Sequence, residues 1–141
     1  MVNGTSPTEP QVERLAAFRA RLSADGLTLA QLAIRRGDSG LNATAGWVAA
    51  RRRERSLLAC TFPDGSLEVP AFQLTDAGEV RSELRPLLER LLGAGAGDWT
   101  AWTWLTQPSS LLSGEVPELV AVADPERALR AAARYATESG G

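Results

Sequence analysis

Histidine and lysine are both missing from this chain, and cysteine occurs once, at Cys60. Without histidine there is no imidazole base, no Ser-His-Asp or Cys-His nucleophile system and no histidine metal ligand. One cysteine excludes an internal disulfide and a Cys-rich zinc site, and its apolar setting, Leu57-Leu58-Ala59-Cys60, reads as a buried structural thiol. Aromatic residues make up only 6% of the chain, and β-branched residues are scarce beside Ala and Leu, so a mainly helical protein is expected. No apolar run approaches the length of a membrane span, and Met1 to Pro10 lacks the basic start of a signal peptide, so a cytoplasmic protein without membrane contact is expected. No phosphate-binding or dinucleotide glycine fingerprint is present. Gly93, Gly95 and Gly97 alternate with Ala but follow no predicted strand.

What is present is 141 residues with 44% hydrophobic content, enough for one domain or two very small ones. The net charge of -2 hides a segregation. Residues 14–55 carry nine Arg against three acidic residues, whereas residues 56–141 carry six Arg against twelve. A basic N-terminal half facing a polyanion is one reading of that asymmetry; solvated helix faces are the other.

Residues 1–8 read as a frayed tail. Val12, Leu15, Phe18 and Leu22 recur at helical spacing, and Asp25-Gly26 closes that helix. Thr28 caps a second helix with Leu29, Leu32 and Ala33 on its inner face, ending at Gly37. After a turn over 37–42, Thr44 is expected to cap a third helix through Trp47 and Val48 into Arg51-Arg52-Arg53-Glu54-Arg55. Strands are expected at 56–61 and 67–70, joined by Pro63-Asp64-Gly65-Ser66. Helices followed by a hairpin give the order of a winged helix-turn-helix module over 9–69. The remainder is helical: a leucine stripe between Val80 and Gly93, a helix capped by Asp98 and carrying Trp99, Trp102 and Trp104, and short helices opened by Pro117 and Pro125. The last helix is expected to end near Tyr135, leaving a flexible tail over 137–141.

Residues 70–135 resemble the toxin-binding domain of Xre/MbcA/ParS-type antitoxins. The resemblance is carried by Pro70-Ala71-Phe72-Gln73, Gly78, Val80, Asp98-Trp99, Trp104-Leu105 and Pro108. It continues through Leu111 or Leu112, Gly114, Pro117-Glu118-Leu119, Asp124-Pro125 and Ala131-Ala132-Ala133. It implies a compact helical domain, spanning 70–136, that binds a RES-domain toxin, a class that degrades NAD or uses it to modify a protein. It also implies a non-enzyme without cofactor that covers the toxin's active-site entrance, and an N-terminal segment that represses its own operon. The family's tight, single-glycine turn between helices is longer here, over 35–42, and residues 47–70 look more like the recognition helix and wing of excisionase-like modules.

Arg51, Arg52, Arg53 and Arg55, with Arg35 and Arg36 beside them, are the candidate DNA contacts, since clustered guanidinium groups bind phosphates and guanine edges. A solvated helix end and an acidic protein partner remain open for the same residues. Candidate toxin contacts are Trp104, Leu112, Gly114, Pro117, Arg130, Arg134 and Tyr135. Two of the three clustered Trp are expected in the core and one as an exposed anchor. The tail after Tyr135 either orders on contact with the toxin or frays. Leu87, Leu88, Leu91 and Leu92 offer apolar surface for a homodimer or a larger assembly with the toxin. Two other readings stand beside the antitoxin: a stand-alone DNA-binding regulator, and a protein-interaction adaptor with no DNA affinity.

Overall fold

The structure, a computed structural model, describes residues 10, 12–14, 16–17, 20 and 24–139. The expected first helix is helical wherever it is described, but its stripe residues Leu15, Phe18 and Leu22 lie outside the described residues, as do the tail 1–8 and residues 140–141. From there the order is β1 (Gly26–Leu27), α1 (Leu29–Arg36), α2 (Leu41–Arg53), β2 (Cys60–Thr61) and β3 (Leu67–Pro70). Four longer helices follow: α3 (Arg85–Gly93), α4 (Asp98–Thr106), α5 (Pro117–Ala123) and α6 (Pro125–Ser139). The protein is mainly helical with one small antiparallel sheet, ordered β1-β3-β2. Gly26 pairs with Pro70 and Leu27 with Val69, while Cys60 pairs with Glu68 and Thr61 with Leu67. A strand, two helices and a hairpin whose second strand lies in the middle of the sheet is winged helix-turn-helix topology. Strand β1 supplies the edge that the sequence did not reveal.

Helix α1 begins where expected. The Thr28 side chain accepts from Gln31 N at 3.1 Å and Gln31 Oε1 accepts from Thr28 N at 2.9 Å, a reciprocal capping box. Gly37, at φ 71°, closes the helix in the left-handed conformation. Helix α2 departs from expectation: it starts at Leu41, three residues before Thr44, so the connection is only residues 37–40 and has the length of a helix-turn-helix turn. Thr44 is fully buried inside the helix, and its hydroxyl donates to Asp38 Oδ2 at 2.8 Å.

Helix α3 also begins later than its leucine stripe suggests. Val80 pairs with Leu74 in a tight return over Asp76-Ala77-Gly78, and the helix opens at Arg85. Pro86 fixes that start, because its ring nitrogen has no N–H to offer an interior turn but fits the first one. At the other end of the chain, α6 runs through Ser139, so residues 137–139 are helix rather than tail.

Two apolar cores lie side by side. Leu32, Val48, Leu57, Ala59, Val69 and Leu74 form the core of the winged module. Leu84, Leu87, Leu88, Leu91, Trp102, Leu105 and Leu112 centre the core of the helical half. Between them runs the extended segment 56–60, buried throughout. Side chains alternate along extended chain, so Leu57 and Ala59 enter the first core while Leu58 and Cys60 enter the second. Residues 56–59 have no strand partner, and side chains stand in for one. The fully buried Gln73 accepts from Leu58 N at 2.9 Å and donates to Leu58 O at 2.9 Å and Pro70 O at 3.1 Å. Asp98 Oδ1 accepts from Ala59 N at 3.3 Å. The boundary expected at 69/70 is therefore bridged by a shared strip of backbone.

Candidate functional site

Two surfaces carry the residues singled out in the sequence. On the winged module, the six Arg do not form one cluster. Arg36 leaves the end of α1 and turns inward, its side chain 12% exposed. Its Nη1 donates to Gly78 O at 2.9 Å and to Glu79 Oε2 at 2.8 Å, and its Nε donates to Asp38 Oδ2 at 3.1 Å. Its guanidinium also lies 4.0 Å from the centre of the Trp47 ring, an attractive cation–π position. Arg36 thus ties α1, the interhelical turn, α2 and the 74–80 return together. The hydrogen bond from Thr44, followed by that from Arg36, holds the Asp38 carboxyl below the usual carboxylate range.

Arg51 pairs with Glu54 at 2.9 Å, and Arg52 approaches Asp98 at 3.8 Å. Burial pushes the Asp98 carboxyl above its ordinary range, against the hydrogen bond from Ala59 and the pull of Arg52. Asp98 was expected to cap α4, but Gly97 takes that position and Asp98 is the first helical residue. Arg55 adopts φ 58° just beyond α2 and reaches Gly93 O at 3.4 Å. Arg35 and Arg53 are exposed and enter no ion pair among the described residues. Ahead of its arginines, α2 exposes Leu41, Asn42, Ala43, Ala45, Gly46 and Ala49, and Ile34 on α1 is 82% exposed. Asn42 was not singled out in the sequence. Its exposed place in the first turn became visible only once Leu41 proved to open the helix.

On the helical half, the expected contacts split by burial. Trp104 is 7% exposed, stacks on Tyr135 with ring centres 5.0 Å apart, and donates from Nε1 to Ser109 Oγ at 3.2 Å. It is a core residue, not the exposed anchor the sequence left open. Leu112 and Pro117 are buried too, and Tyr135 is half-buried. Trp102 fills the same core, and the half-buried Trp99 stacks on it at 5.2 Å. Phe62, at the base of the wing, meets Trp99 edge-on at 5.9 Å, so the wing rests on the helical half. The leucines expected to serve a dimer are spent internally, with Leu87, Leu88 and Leu91 no more than 1% exposed.

Gly114, a candidate toxin contact, is exposed and sits in a turn. At φ 87°, after Ser113 at φ 57°, it turns the loop between α4 and α5, whose ends Ser109 and Glu115 pair as an isolated bridge. Arg130 and Arg134 are exposed along α6. Arg130 borders an open groove of about 630 Å³ between α3 and α6, with Leu129 and Ala133 beside it and Glu89 and Glu126 at its rim. Arg134 pairs with Glu138 one turn on, at 3.0 Å. Arg81 locks the base of the domain: it donates to Phe72 O at 2.8 Å, to Glu118 Oε1 at 2.9 Å and to Glu83. Burial opposes the charge on Arg81, but the bonds to Glu118 and Glu83 outweigh it and raise the pKa.

Among the described residues, no group of three His, Cys, Asp or Glu is placed to hold a metal ion, and no helix is long and apolar enough to cross a membrane. Two surfaces stand out: an exposed helix with guanidinium groups at its end, and a helical face with an adjoining groove. Comparison with protein-family models, with curated proteins and with solved structures finds no match for this chain.

Proposed function

We propose that this chain is an antitoxin-type adaptor of the cytoplasm that works by contact. Its helical half binds a RES-domain toxin and covers the entrance to the toxin's active site. Its winged half holds operator DNA and represses the operon, and pairing of two copies on two half-sites raises affinity. The observation that carries this reading is the structural role of the motif residues behind the resemblance. Gln73, Gly78, Gly114, Pro117 and Pro125 sit at a buried hydrogen-bond bridge, at two turns with positive φ and at two helix starts. They set the local backbone of the helical half, whose outer face is the surface proposed for the partner.

Co-expression with the neighbouring gene tests it. A neighbour of RES type should arrest growth alone, be harmless with this chain, and co-purify with it. A neighbour that is harmless alone and does not co-purify contradicts the proposal.

A specific observation favours a second reading for the winged half, an adaptor surface with no DNA affinity. Arg36, Arg51 and Arg52 are engaged by carboxylates of the same chain, which leaves Arg35, Arg53 and Arg55 for phosphates. Three such contacts imply a salt slope of roughly -2.7 for duplex DNA. A promoter shift with that slope, lost in Arg35→Ala/Arg53→Ala, supports DNA binding. No shift at low salt favours the adaptor.

A further inference from the structure

The seven-residue helix α5 has two apolar sides. Pro117, Val120 and Ala121 are buried and complete the core. Leu119 and Val122 point the other way, 60% and 61% exposed. Three residues apart on a helix, they stand side by side. Isolated exposed apolar residues are ordinary, but Leu119 lines a hollow of about 310 Å³ with Gly114, Val116 and Ala123, and Val122 stands next to Ala123. A ridge beside a hollow is an apolar surface left exposed by the described residues.

Its rim is acidic. Glu115 and Asp124 line the hollow with Arg127, Glu118 stands on α5 itself and is tied with Glu83 to Arg81, and Glu126 lies just beyond Asp124, at the border of the α3–α6 groove. Both cations are already held, Arg81 by Glu118 and Glu83 and Arg127 by Glu115 at 2.8 Å. The charge left to face a partner is that of Asp124 and Glu126. Complementary charge on a partner orients encounter and excludes wrong partners.

We propose that the Leu119–Val122 ridge is the anchor by which this chain docks on its toxin, entering an apolar cleft rimmed by Arg or Lys. This rests on the toxin-binding reading above and moves its centre from Trp104, Leu112 and the chain's last residues to the outer face of α5. The ridge packs into the cleft, Gly114 lets the two backbones approach, and the carboxylates meet the basic rim.

The test is calorimetric titration of the full chain with the purified product of the neighbouring gene, which the toxin reading expects to be a RES-domain protein. Wild type, Leu119→Ser/Val122→Ser, Glu126→Gln and a chain ending at Thr137 are compared. Both ridge residues are largely exposed, so the double variant should keep the wild-type circular dichroism and melting temperature within a few degrees. The expected result is a loss of affinity of at least tenfold on the ridge change and a loss of a few-fold on Glu126→Gln. Wild-type binding should weaken with salt, and the shortened chain should bind normally. Undiminished binding by a folded ridge variant overturns the ridge while leaving the toxin reading intact. Absence of wild-type binding overturns the toxin reading and the ridge with it. A concentration-dependent dimer that the ridge variant abolishes, with toxin affinity unchanged, makes the ridge a contact between copies and also overturns the proposal.

Discussion

At the scale of single residues, the most constrained position is Gly78. Its φ of 78° is costly for a side chain, and a Cβ added there would fall on Arg36 Cγ. Gly114 has a similar φ of 87°, but a Cβ there would meet nothing. The pair separates backbone strain from collision. Gly114→Ala should cost about 1–2 kcal/mol in urea unfolding, the ordinary penalty for a left-handed side chain. Gly78→Ala should cost about 2–4 kcal/mol, because Arg36 must also give up its bonds to Gly78 O and Glu79. Equal costs would mean that Arg36 is not the clamp described. The clamp also shows where sequence reading stopped. Arg36 sits next to Arg35 in an Arg-rich segment and reads as surface charge. Only Gly78 and Glu79 of the 74–80 return, more than forty positions away, turn it inward. Trp104 and Leu112 are the reverse case, read as contact residues but buried in one core.

Among the elements, helices whose ends are written in side chains were legible: Thr28 with Gln31 for α1, and Pro117 and Pro125 for α5 and α6. Elements without such signals were not. Gly40 caps α2 with no side-chain bond, so the nearest Thr drew the start to residue 44. Strand β1 is two residues long and too short to show a period. The segment 56–60 was recognisable as extended, but not as a strip buried on both faces, because its hydrogen-bond partners are the side chains of distant residues. Gln73 is the centre of that strip. Gln73→Leu keeps the volume but leaves Leu58 N–H and C=O without partners in a dry interior, at about 1–3 kcal/mol each. A loss of about 2–5 kcal/mol is expected, read as a lower urea midpoint. A variant as stable as wild type would show that the strip does not depend on the amide.

Across the whole molecule, the alternation of Leu57, Leu58, Ala59 and Cys60 between two cores and the contact of Phe62 with Trp99 make one body of two halves that composition had separated by charge. The charge segregation was legible; its consequence was not, because several of the basic residues are paired within the chain. What remains on the outside is an α2 face with Arg35 and Arg53 nearby and an acidic apolar face on α5. The proposed partner contacts fall on those faces.

Amide hydrogen exchange of the full chain, alone and with the product of the neighbouring gene, tests the proposed contact directly. Added protection should fall on residues 114–134, with the slow amides of 57–60 unchanged and α1 and α2 unaffected. Protection confined to α1 and α2, or absent everywhere, would contradict the account.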